Sequence, residues 1–165
     1  MELKSISPFE KVGYQKLSRE HWIVYTEIII DAAPKRVWEV LTDTESYAKW
    51  NVVFIMDGKI QDKSKMKVLF KMNKKVRPIL FRISLHVEEG VEFYWSQFLA
   101  MGIKDLHCFR VEATSDGKTK FIQSDQALGG MTWLLGKMIV KSQTKIYPRF
   151  NRSLKTEVER RYSKS

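Results

Sequence analysis

The stretch GGMTWLLGKMIVKSQTKIYPRFNRSLKTEVERR, residues 129–161, decides the fold. Gly129 and Gly130 end a strand-like run, and a helical pattern follows. Met131, Leu134, Leu135, Met138, Ile139, Ser142, Ile146, Phe150, Leu154 and Val158 recur every three or four residues, which puts them on one helix face. Lys137, Lys141, Lys145, Arg149 and Arg152 fall mostly on the other side. At 1.5 Å rise the pattern makes a rod of roughly 45 Å. A rod with one apolar stripe that long must lie across a large apolar surface. Pro148 sits inside it, lacks an amide hydrogen and crowds the carbonyl of Thr144. A kink costing about 3 kcal/mol is expected there, or else a break into two core helices. The stripe turns loose and polar near Ser142, which suits one wall of a cavity.

The remaining sequence must supply that surface. Trp22–Ile30 is β-branched and aromatic and reads as a strand. It stops at Asp31-Ala-Ala-Pro34, where Asp31 is a plausible cap and Pro34 suits a first helical turn. A short helix follows with Val37, Trp38 and Leu41 inward. Thr42 or Asp43 then caps a second short helix carrying Tyr47 and Trp50. From Asn51 to Leu128 the period is two. The runs are Val53–Ile60, broken at Asp57-Gly58 by a hairpin turn or bulge, then Lys65–Met72, Ile79–Val87, Val91–Gln97, Leu106–Ala113 and Lys118–Leu128. Met66, Val68, Phe70 and Met72 oppose Lys65, Lys67 and Lys71. Ile79, Phe81, Ile83, Leu85 and Val87 oppose Arg82, Ser84 and His86. Such alternation describes an antiparallel sheet wet on one side, and the long helix is what covers the dry side. The expected class is α+β, a seven-stranded curved antiparallel sheet around a long C-terminal helix. Residues 1–20 read as an N-terminal extension, a short helix around Phe9–Leu17 or an ordered arm, and residues 21–165 as one domain.

Composition sets bounds on function. The 44% hydrophobic and 12% aromatic content of 165 residues excludes a disordered chain. The single Cys108 excludes an internal disulfide and a CxxC site, and fits a reducing compartment. Met1–Glu20 is broken by charges and Pro8, and Met131–Val140 is too short to cross a bilayer, so a cytoplasmic protein is expected. The net charge of +10 favours anionic partners such as phosphates, anionic lipids or RNA, or a simply solvated lysine surface. No nucleic-acid-binding signature accompanies it, so no specific nucleic acid is expected.

Phasing each strand by its charges shows which polar side chains share the dry face. Phe93, Trp95 and Gln97 point inward, as do His107, Phe109 and Val111, and Phe121, Gln123, Asp125 and Ala127. Gln97, His107, Gln123 and Asp125 therefore lie among apolar residues on adjacent strands. Buried polar groups cost a few kcal/mol unless satisfied, so four together point to a pocket with an apolar body and a polar mouth. They could equally satisfy one another. The expected ligand-binding set is Trp95, Gln97, His107, Phe109, Phe121, Gln123, Asp125, Met138 and Ser142. His107 with Asp125 is the candidate acid–base pair. His21, His86 and His107 have no metal spacing, and no phosphate loop or dinucleotide motif is present, so no metal or cofactor is expected.

The run from Ile30 through Asp31-Ala-Ala-Pro-Lys-Arg-Val-Trp38 to Asp43, with Tyr47 and Trp50-Asn51, resembles the opening of the START-like (SRPBCC) superfamily, nearest its polyketide cyclase/dehydrase and lipid-transport branch. Gly102, His107-Cys-Phe109, Asp116 to Gln123 and Phe150 to Lys155 continue the likeness over residues 22–160. Val52 after Trp50-Asn51 and Pro148 in the long helix depart from it. The resemblance implies a helix-grip fold enclosing a cavity for lipids, polyketides or other apolar ligands. It implies no particular catalytic residue, because the superfamily contains enzymes, carriers and partner-binding modules. Three functions follow as expectations. The first is binding or transport of a small apolar ligand, one with an acidic head group included, with transient contact to an anionic membrane. The second is a cyclase or aromatase using His107 and Asp125. The third is a partner-binding module acting through the basic outer face at Lys65, Lys67 and Lys71.

Overall fold

The computed structural model of the chain describes residues 1–71 and 79–162. One antiparallel sheet of nine strands runs β1 (Lys4–Ser7), β2 (Glu10–Ser18), β3 (His21–Ile30), β9 (Thr119–Leu128), β8 (Lys104–Ala113), β7 (Glu92–Phe98), β6 (Ile79–Glu88), β5 (Lys65–Phe70), β4 (Phe54–Asp57) in spatial order. Helices α1 (Pro34–Thr42) and α2 (Tyr47–Trp50) follow β3, and α3 (Thr132–Tyr162) closes the chain. The seven expected strands are β3 to β9, and the count is corrected to nine. Residues 9–17, with a helix as one reading, instead supply most of β2, which pairs with β3 from Glu10↔Ile28 to Lys16↔Trp22. The alternation that would have revealed β2 is blurred, because its inner face carries Glu10 and its middle carries Gly13. Glu10 is buried and accepts a 2.7 Å bond from Arg152 of α3, so a charge rather than a hydrophobe fastens this strand.

Local signals explain the connections. Pro34 fits the first turn of α1, where a missing amide hydrogen costs nothing. The helix starts after Ala33 without a side-chain cap. Asp31 is therefore not its cap; its backbone N–H donates to Glu159 of α3 at 3.1 Å. Thr42 and Asp43 are not caps either. Thr42 Oγ1 donates back to the Trp38 carbonyl at 2.8 Å, and Asp43 accepts from Arg161 at 2.9 Å. Asn51 does the capping work after α2, its Oδ1 accepting from Val53 and Phe54 N–H. Asp57-Gly58 ends β4, with Gly58 at φ 134°, and β5 begins only at Lys65. Met72 and the Ile79 side chain, both read as inward, lie outside the described residues.

Helix α3 runs unbroken through Pro148. It packs chiefly on β3, with β2, β9 and α1 beside it. Its C-terminal half buries Phe150, Leu154 and Val158, as the periodicity requires. Its N-terminal half is turned by about one residue from the expected stripe. Thr132, Gly136, Val140 and Tyr147 are the buried positions, while Leu134 and Met138 are exposed. The cause is Trp22 on β3. A Cβ at Gly136 would lie 2.2 Å from the Trp22 ring, so only the bare backbone of Gly136 fits there. The core beneath is aromatic, with Phe54 against Phe70, Phe109 and Phe150, and Phe93 stacked on Phe109 at 4.8 Å.

Candidate functional site

Because α3 lies over β3, it leaves the β4–β8 part of the dry face incompletely covered. A cavity of about 380 Å³ occupies that space. Its body is apolar: Phe54, Val68, Phe70, Phe81 and Trp95 come from four strands, β4 to β7. Helix α3 supplies the opposite wall with Met138, Ile139, Ser142, Gln143, Ile146 and Tyr147. Gln97, Asp105, His107 and Asp125 add a polar region, and Leu99 completes the lining. Met138 lines the cavity yet is 64% exposed, so the cavity reaches solvent beside it.

The polar groups form one network. Asp125 faces His107 across the β8–β9 pair, and Asp105 lies diagonally from Asp125, two residues before His107. Asp125 Oδ2 accepts from Tyr147 Oη and from Gln143 Nε2, the latter at 2.6 Å. Asp105 Oδ2 accepts from Gln97 Nε2 at 3.2 Å. The two carboxyl groups are neighbours across the strand pair, and burial disfavours a charge on both at once. Burial, with Asp105 adjacent, pushes the Asp125 carboxyl well above the usual range, and burial raises Asp105 as well. Gln123 Nε2 donates to His107 Nε2 at 2.8 Å, which leaves the ring proton on Nδ1. That nitrogen is 3.8 Å from Asp125 Oδ2, too far for a hydrogen bond. Burial lowers His107 to about 3, so the imidazole is neutral. It packs among Phe109, Trp95 and Tyr147 with centroids 4.5, 4.7 and 4.8 Å away.

The structure thus sorts the expected set. Trp95, Gln97, His107, Asp125, Met138 and Ser142 line the cavity. Phe109 and Phe121 are fully buried core residues behind it, and Gln123 stands behind His107 as its hydrogen-bond partner. Asp105 was missed because the strand was read from Leu106; one more step of the same alternation reaches it. Gln143 and Tyr147 were missed with the turn of α3. On the outer face Lys65, Lys67 and Arg82 are exposed, with Lys67 3.9 Å from Asp57.

A second surface borders the cavity. Phe98, Met101, Trp133, Leu134 and Met138 are all large, apolar and exposed. They come from the end of β7, the following turn and the first turns of α3. The turn and the helix meet where Met131 N–H donates to the Met101 carbonyl at 3.2 Å. Lys104, which begins β8 just after that turn, and Lys137 and Lys141 on α3 are all exposed.

No protein-family model matches the chain. No curated protein matches it in sequence. Solved structures do match it in fold. A START superfamily protein from Mycobacterium smegmatis superposes with TM-score 0.65 at 14% identity over 84% of this chain and 97% of its own. The Zhui aromatase/cyclase from Streptomyces sp. R1128 gives 0.64 at 14% identity over 86% and 95%. The di-domain aromatase/cyclase StfQ of the steffimycin biosynthetic pathway gives 0.70 at 11% over 88% and 53%. The chain has the START-like helix-grip fold. Among the described residues no helix is long and apolar enough to cross a membrane.

Proposed function

We propose that this protein binds or carries a small apolar ligand in the cavity between α3 and the sheet. The carrying observation is the cavity itself: about 380 Å³ bounded mainly by aromatic and aliphatic side chains, within the usual size for small-molecule sites. Apolar contact supplies affinity, and the Gln97, Asp105, Asp125 and Gln143 group orients the ligand. His107 positions rather than reacts, since Gln123 and three aromatic rings hold it neutral. Native mass spectrometry of protein purified from cells, then exposed to lipid extracts, tests this. A bound apolar molecule is expected, and Ser142→Trp, which fills the space from the helix side, should exclude it. A cavity that takes up no apolar molecule from either source defeats the proposal.

The exposed rim supports the finer reading that ligand is collected from an anionic membrane. Large apolar side chains beside exposed lysines suit a negatively charged lipid surface. A cyclase-type reaction is the second reading, favoured by the fold shared with Zhui and StfQ. It requires that replacing both His107 and Asp125 abolish turnover of a polyketide-like substrate while the substrate still binds.

A further inference from the structure

The exterior of this protein is basic, and its cavity is lined by acidic side chains. The chain is +10 overall, yet among the described residues lining the cavity there is no Lys or Arg, and there are two Asp. The imidazole beside them is neutral. Asp105 and Asp125 are 5% and 1% exposed, so neither is a surface carboxylate that happens to lie near a pocket.

Two acceptor atoms there are left without a partner. Asp125 Oδ1 and Gln143 Oε1 are both buried with no hydrogen bond, although both residues line the cavity. A buried acceptor without a donor is costly, so their persistence needs an explanation. The donors in the network are already spent: Tyr147 Oη and Gln143 Nε2 on Asp125, Gln97 Nε2 on Asp105. What the cavity lacks is a donor, preferably a charged one.

From this juxtaposition we infer that the cavity selects an apolar molecule ending in a basic nitrogen, whose ammonium group seats against Asp105, Asp125 and Gln143. The inference rests on the cavity being a ligand site and specifies what the ligand carries. An ammonium group has three N–H donors, which matches Asp125 Oδ1, Gln143 Oε1 and a carboxyl oxygen of Asp105. Charge-assisted bonds of this kind are roughly twice as strong as neutral ones. With one carboxyl protonated and the other ionised, the pair carries a single negative charge, and the entering ammonium closes it as a buried ion pair. An acidic head group, admitted by the sequence reading from the net charge, meets carboxyl groups instead of a cation. The surface lysines do not reverse this, because exposed charges are screened over about 8 Å at physiological salt while the carboxyls would touch the ligand.

Three chains of equal length test the idea: decylamine, decanol and decanoate, each competing with N-phenyl-1-naphthylamine bound to the full chain. Decylamine should displace the probe at about tenfold or more lower concentration than decanol, and decanoate should be the weakest. Equal potency of decylamine and decanol overturns the inference and leaves the cavity reading intact. Failure of all three to displace a bound probe, or of the probe to bind, removes both. The double variant Asp105→Asn, Asp125→Asn should bring decylamine to within about twofold of decanol, both measured on that variant. If that variant does not fold, competition on the unaltered protein by decyltrimethylammonium, which carries the charge and no N–H donor, decides. Decylamine should displace the probe at severalfold lower concentration than decyltrimethylammonium. Equal potency of the two counts against it.

Discussion

The Tyr147 hydroxyl of α3 donates to Asp125 Oδ2 on β9, and both residues are buried. Helix and sheet are therefore joined at the cavity by a polar contact between apolar surroundings. Tyr147→Phe keeps the ring packing against Phe54 and His107 and removes the hydroxyl, a donor to Asp125 and an acceptor from Gln143 Nε2 at 3.0 Å. A loss of about 1–3 kcal/mol is expected, the cost of a buried carboxyl losing one partner. Urea unfolding measures it. A change below about 0.5 kcal/mol would show that water replaces the hydroxyl freely.

Gly136→Ala should reverse the ordinary helix rule. In a helix interior Ala is favoured over Gly by about 1 kcal/mol. Here the new methyl would meet the Trp22 ring at 2.2 Å, so α3 must lift or Trp22 must turn. A net loss of about 1–3 kcal/mol is expected from overpacking. Combining it with Trp22→Leu should recover part of that loss. Additive losses in the double variant would place the strain elsewhere.

Asp125 makes stability depend on pH in an unusual direction. Its native value lies well above the ordinary 3.8, so the folded state holds more protons than the unfolded state in that window. Stability then falls as pH rises from about 4 through the native value. Asp125→Asn removes this contribution, and its amide still accepts from Tyr147 and Gln143. The variant should gain on the parent protein at pH 7 to 8, and the gap should close toward pH 4. His107 acts in the other sense: lowered from 6.5 to about 3, it costs stability as pH falls through that interval. That cost is common to both proteins and drops out of their difference. A gap that widens in acid contradicts the assignment.

Leu134→Glu with Met138→Glu tests the rim. Both side chains are more than half exposed, so folding should be little affected. Sedimentation with vesicles containing anionic lipid should drop severalfold, and it should weaken with salt in the parent protein. Undiminished binding by the variant would assign the membrane contact to lysines alone.

Glu157 is held at about 2, first by Arg160 and with Arg161 adding to it. This is a depressed carboxyl, so its contribution is present above about 4.5 and fades as pH falls toward about 2. Glu157→Gln should flatten the acid limb of the stability profile. The same Arg161 reaches Asp43, so thermal unfolding of Arg161→Ala should also report loosening of the α1 junction.

Most of the seven strands β3 to β9, and the long helix, were legible because they are long and keep a clean period, while the short β4 was marked by the turn at Asp57-Gly58. Lys65 and Lys67 against Met66 and Val68 leave no ambiguity of face. The polar inward positions were legible for the same reason, once the charged residues fixed the phase. Strand β2 was not, because Glu10 buries through an ion pair with Arg152 on α3, a contact that no local pattern announces. The turn of α3 was not either. Hydrophobicity points Leu134 and Met138 inward, but the space above Trp22 admits only Gly136. Tyr147 and Gln143 consequently entered the site unannounced.

Gly130 and Gly102 meet main chain to main chain where β9 passes into α3: a Cβ on Gly130 would lie 2.5 Å from the Gly102 carbonyl carbon. No side chain intervenes, so the spacing between the turn after β7 and the start of α3 is set by peptide units and cannot be tuned by exchanging residues at that seam. A larger or smaller chamber must come instead from the sheet wall at Val68, Phe70 and Phe81, where a single truncation would lengthen it.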